Sequence, residues 1–182
     1  MENPLVVITG ASSGIGESCA HYFHKEGHPL LLLARRVEKM EKEFGKLKNV
    51  LIEKVDITKY SEISAALEKA EKLYGPCDCL INNAGVMLLG RMEDQKLEEW
   101  DAMMQVNVYG VLNGIKCVLK GMKERKSGTI INISSMAGVK LFDNHTVYCA
   151  TKFAVNAISE GVRAEVATSG VKVTTICPGV VE

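Results

Sequence analysis

A chain of 182 residues, 47% hydrophobic and 24% charged, has the length and composition of one globular domain with a sizeable core. Twenty-two basic and twenty-two acidic residues balance to a formal net charge of zero. No long-range field therefore draws it to nucleic acid or an anionic membrane, and neither is expected as a partner.

Residues 1–9 lack a basic start followed by an apolar run and a small-residue cleavage site, so they read as a first strand rather than an export signal. No apolar stretch approaches the length of a membrane span. Apolar, β-branched Leu5–Thr9 runs into the turn Thr9-Gly10-Ala11-Ser12-Ser13-Gly14-Ile15-Gly16, and helical spacing follows from Ile15 to Lys25. Leu30–Leu33 reads as a second strand, Val37–Lys48 as a charged helix and Val50–Val55 as a third strand. Ser61–Tyr74 is a helix stopped by Gly75-Pro76, and Cys79–Ile81 a fourth strand. Leu97–Arg125 forms one long helical pattern. Thr129–Ile133, His145–Thr168 and Val171–Cys177 then read as strand, helix and strand. Six strands alternating with helices predict an α/β fold: a doubly wound (Rossmann) parallel sheet in three α/β/α layers, ordered 3-2-1-4-5-6. Residues 1–182 are expected to form one dinucleotide-binding domain. The stop at Glu182 leaves the sixth strand as an unpaired edge, which suggests a longer parent chain.

The glycine-rich turn sits between a strand and a helix. There, backbone N–H groups and the positive end of the helix dipole favour a pyrophosphate. Gly10 suits the tight turn, Gly14 the approach of phosphate and Gly16 close helix–sheet packing, with Ser12 and Ser13 as added donors. An NAD-binding site calls for an acid after strand two, to accept from the ribose 2′-hydroxyl. The sequence has Ala34-Arg35-Arg36 instead, and Arg35 or Arg36 can pair with a 2′-phosphate. NADP(H) is expected ahead of NAD(H). Asp56, with Ile57 beside it, ends strand three and can accept from an adenine amino group.

Tyr148 and Lys152 lie four apart on one helix face, where the ammonium favours the phenolate. Ser134-Ser135 ends strand five, and Asn82-Asn83-Ala84-Gly85 ends strand four at the same edge. Asn107 stands inside the long helix despite its low propensity, which is consistent with a helix-capping or backbone-bonding role, or with a bound water relaying protons to Lys152. Cys77 and Cys79 lack the second pair of a zinc site, and His21 with His24 lacks a completing ligand, so no metal is expected. Six scattered cysteines fit buried thiols in a reducing cytoplasm.

Together these residues resemble the short-chain dehydrogenase/reductase family, with similarity to its bacterial serine- or clavaldehyde-dehydrogenase-like members. The resemblance runs from Thr9–Gly16 through Asp56, Asn82–Gly85, Asn107, Ser135, Tyr148 and Lys152 to Pro178-Gly179. It implies a catalytic tetrad of Asn107, Ser135, Tyr148 and Lys152. It implies cofactor contacts from Gly10, Ser12–Gly16, Arg35, Arg36, Asp56, Ile57, Asn83–Gly85, Tyr148, Lys152, Pro178 and Gly179, and a seventh strand beyond the sequence given. It further implies hydride exchange with a small carbonyl or alcohol, and a homodimer or homotetramer paired through the two long helices. Val86–Leu89 and Met136–Phe142 are expected to line the substrate pocket. Two other readings on the same fold are a non-catalytic nucleotide-binding regulator or scaffold, and a sugar-nucleotide epimerase or dehydratase.

Overall fold

A computed structural model describes residues 3–180; the expectation attached to Glu182 falls outside them. Its strands are β1 (Leu5–Thr9), β2 (Leu30–Ala34), β3 (Val50–Lys54), β4 (Cys77–Asn82), β5 (Gly128–Ile133) and β6 (Val171–Ile176). They pair in parallel, in the order β3-β2-β1-β4-β5-β6. The expected doubly wound topology is present. Every residue of β1 and β2 is buried, because a parallel sheet covered on both faces has no solvent side.

Successive side chains of one strand point to opposite faces. Leu5 and Val7 of β1 and Leu31 and Leu33 of β2 pack on one side with helices α3 (Tyr60–Tyr74), α5 (Gly110–Glu124) and α6 (Thr146–Glu165). Val6, Ile8, Leu30 and Leu32 face the other layer, made by α1 (Gly14–Lys25) and α2 (Val37–Phe44). In the middle of the sheet Asn82 lies beside Asn132 in register, and its Nδ2 donates to Asn132 Oδ1 at 2.9 Å. Asn132 Nδ2 donates in turn to Ser159 Oγ of α6 at 2.8 Å. These buried polar groups pin the helix that carries Tyr148 and Lys152 onto the sheet.

Three expectations are corrected in detail. The Leu97–Arg125 pattern is not one regular helix: α4 (Leu97–Met104) and α5 flank a single wider π-helical turn, Gln105–Tyr109, with Asn107 at its centre. Helix α2 ends at Phe44, where Gly45 interrupts it, rather than running on to Lys48. Asp56 stands two residues beyond β3 rather than at its end, where it caps a turn. Among the described residues, no helix is long and apolar enough to cross a membrane, and no three His, Cys, Asp or Glu side chains converge as metal ligands would.

Candidate active site

At the carboxyl edge of the sheet the strand order reverses between β1 and β4, and a cleft of about 770 Å³ opens there. This is the place where open α/β sheets bind ligands, because the loops on either side of the reversal diverge. Its walls include Gly10, Ser12, Ser13, Gly14 and Ile15 from the first turn, and Arg35, Arg36, Asp56 and Ile57 from the ends of β2 and β3. Asn83, Ala84 and Gly85 follow from β4, Ser135 from β5, Tyr148 and Lys152 from α6, and Pro178 and Gly179 after β6. Two expected residues, Gly16 and Asn107, stand behind this wall rather than on it.

The first turn is held tightly from beneath. Gly10 has a φ of +67°, and a Cβ there would lie 2.7 Å from the Ala84 Cα, so loop and strand end touch through backbone alone. Asn83 Nδ2 donates to the carbonyls of Thr9 at 3.0 Å and Gly10 at 3.2 Å. The Thr9 hydroxyl accepts from the N–H groups of Asn83 and Ala84. Thr9 and Asn83 are thus braces of the turn; their sequence signal is a polar residue closing an otherwise apolar strand.

Ser13 is the N-cap of α1 yet makes no side-chain capping bond. Its hydroxyl instead accepts from Arg36 Nη2 at 3.0 Å, and Ser12 Oγ accepts from the same nitrogen at 3.2 Å. The first turn of α1 therefore presents N–H groups without a side-chain acceptor, beside a guanidinium already folded over the loop. Asp56 Oδ1 accepts from both the amide and the hydroxyl of Thr58. Burial works against its ionisation, but those two bonds, with Lys59 and Arg35 nearby, hold the carboxyl below its ordinary range.

At the other end of the cleft Lys152 is buried, with its Nζ donating to the Ile133 carbonyl at 3.0 Å and lying 5.7 Å from the Tyr148 ring centroid. Burial pulls its ammonium down to about 8, against a smaller opposing influence of Cys177. The sign of the stability effect follows. Between about pH 8 and the unfolded value near ~10.4, the unfolded chain holds a proton that the folded chain has lost, so stability rises with pH across that window. Urea denaturation from pH 7.5 to 10.5 should show wild type gaining on Lys152→Met as pH rises, and a flat difference would contradict the assignment.

The two serines differ in what their hydroxyls do. Ser134 is buried and donates its proton to the Lys152 carbonyl at 3.1 Å. Ser135 caps the 3₁₀ turn Met136–Gly138, accepting from the Ala137 N–H at 3.1 Å. A hydroxyl engaged as an acceptor keeps its own proton to give, so Ser135 can donate into the cleft.

Asn107 is buried and spends its amide on structure. Its Oδ1 accepts from Val86 N, and its Nδ2 donates to Val86 O and to the Thr151 hydroxyl, at 2.8–3.0 Å. It joins the β4 end to α6 next to Lys152, which is the backbone-bonding role its mid-helix position implied.

Residues 4–182 match the family model described as short chain dehydrogenase. An uncharacterized oxidoreductase of Staphylococcus saprophyticus is 45% identical over 185 residues, covering all of this chain and 75% of the relative. The chain belongs to the short chain dehydrogenase family. It is accordingly an oxidoreductase. Two solved structures of similar proteins share the fold closely. ElxO with NADP bound is 30% identical with a TM-score of 0.92, over 98% of this chain and 74% of that one. The closed form of serine dehydrogenase complexed with NADP+ is 33% identical with a TM-score of 0.93, over 97% and 72%.

Proposed function

We propose that this short chain dehydrogenase exchanges a hydride between NADP(H) and a small carbonyl or alcohol, with Tyr148 as its general acid and base. One observation carries the reading: a proton-donating serine, a phenol and a buried ammonium share a cleft whose other end is a phosphate-ready helix terminus beside an arginine.

When bound, NADPH would supply the hydride, held by the residues that line the cleft. The first turn and α1 receive its pyrophosphate on N–H groups, while Arg36 with Ser12 and Ser13 receives the 2′-phosphate. Arg35, Asp56 and Ile57 flank the adenosine, and Ala84, Gly85, Pro178 and Gly179 flank the nicotinamide half. Ser135 donates to the substrate oxygen as negative charge grows on it. Tyr148 gives its phenolic proton to that oxygen, yielding the alcohol, and takes it back in the oxidative direction. Lys152 lowers the cost of the resulting phenolate. Asn107 acts behind this set, holding Val86 and Thr151. Bound NADP in ElxO and in serine dehydrogenase supports the cofactor assignment.

Exposed Met104, Tyr109 and Leu112 along α4 and α5, with Phe153 on α6, support a homo-oligomer paired through these helices. Six free cysteines support a reducing, cytoplasmic setting. Aldehydes and ketones of graded size are the test, with NADPH and NADH oxidation followed by absorbance. Turnover with NADPH on a carbonyl is expected; tight NADPH binding with no turnover on the whole panel would return the chain to the scaffold reading.

A further inference from the structure

We infer that Asn156 is a positioning residue: its side-chain amide clamps the Ser135 turn between α6 and the end of β6, and so keeps the Ser135 hydroxyl in line with Tyr148 and Lys152. This rests on the reading of Ser135 as the proton donor to the substrate oxygen.

Asn156 lies one helical turn beyond Lys152 and two beyond Tyr148, on the same side of α6. It is half-buried and does not reach the cleft. Both ends of its amide are used, and they point to different segments. Nδ2 donates to the Gly138 carbonyl at 2.8 Å, while Oδ1 accepts a weak bond from the Cys177 thiol at 3.9 Å. Gly138 closes the 3₁₀ turn that Ser135 opens, and Cys177 leads into Pro178, whose carbonyl accepts from Met136 N at 2.9 Å. One side chain therefore ties together the two segments that bring Ser135 and Pro178-Gly179 to the cleft.

The turn is seated directly on the helix at Lys152. A Cβ on Gly138 would come within 2.7 Å of Ser134 Oγ and 2.8 Å of the Lys152 carbonyl, so only a residue without a side chain allows this approach. The approach is what brings the Gly138 carbonyl to Asn156. Releasing that carbonyl loosens the short turn, and with it the Ala137 N–H that orients the Ser135 hydroxyl. The bond acts on Ser135 through two residues of backbone and on the cofactor pocket hardly at all.

Two variants separate the possibilities. Asn156→Ala removes both bonds. Asn156→Asp keeps size and the acceptor toward Cys177 but replaces the donor to Gly138 with an oxygen. Hydrogen exchange followed by mass spectrometry on the full chain should show about tenfold faster exchange in residues 134–141 of both variants, with residues 10–17 unchanged. NADPH Kd should stay within about twofold, while kcat on a carbonyl turned over by wild type falls roughly tenfold and the KM for NADPH holds. Unchanged exchange in 134–141, or faster exchange with wild-type kcat, overturns the proposal. Global unfolding of both variants would also overturn it, by assigning Asn156 to the fold. A wild type that reduces no carbonyl sinks the reading of Ser135 instead, and the exchange measurement still decides the clamp.

Discussion

Tyr148→Phe is expected to lower kcat by about 100- to 10,000-fold, the range a positioned acid–base group contributes, while NADPH binds as in wild type. The substitution removes one oxygen and keeps the ring, which is half-buried beside Lys152 and packs near His145. Among the described residues no hydrogen bond passes through the Tyr148 side chain, so thermal stability should change little. In the proposed mechanism the Lys152 ammonium, 5.7 Å from the ring centroid, stabilises the phenolate that proton transfer leaves behind. Stopped-flow hydride transfer with the NADPH Kd measured in parallel separates loss of chemistry from loss of cofactor. A Phe variant with wild-type kcat would remove Tyr148 from the mechanism.

Arg36→Ala is the second large effect, and it falls on binding. A charge-assisted hydrogen bond contributes about 1.5–3 kcal/mol, so losing it should raise the NADPH Kd by about 10- to 100-fold. NADH, lacking the 2′-phosphate, should change by less than about threefold. The guanidinium already reaches over the loop to both Ser12 and Ser13, so little ordering is left to be done when phosphate arrives. Arg35→Ala should have the smaller effect, because Arg35 shares its field with Asp56. Raising salt should narrow the gap between wild type and Arg36→Ala, as both arginines are exposed. Equal losses for NADPH and NADH would place Arg36 in the fold of the loop rather than at a phosphate.

Much of the site could be read before any coordinates. The turn Gly10–Gly16 stands out as a glycine cluster between a strand and a helix, and it lines the cleft apart from Ala11 and Gly16. Arg35 and Arg36 stand out because an acid is missing where one is usual. Ser134 and Ser135 illustrate the opposite case. Adjacent in sequence and alike in chemistry, they differ only in where their protons go, and that depends on which carbonyl or N–H lies within 3.1 Å. Asn107 and Asn156 share one clue, a poor helix former inside a helix.

Periodicity and glycine placement were enough to set the layer architecture and the strand order. Each is a local pattern with a backbone consequence, and right-handed crossovers leave few ways to connect such elements. The division of labour within the cleft came from contacts between residues 18 to 74 positions apart: Asn107 with Val86 and Thr151, Asn83 with Thr9, Asn156 with Gly138 and Cys177. A hydrogen bond is made or lost within a few tenths of an ångström. Packing in three dimensions sets distances to that tolerance; spacing along a chain does not.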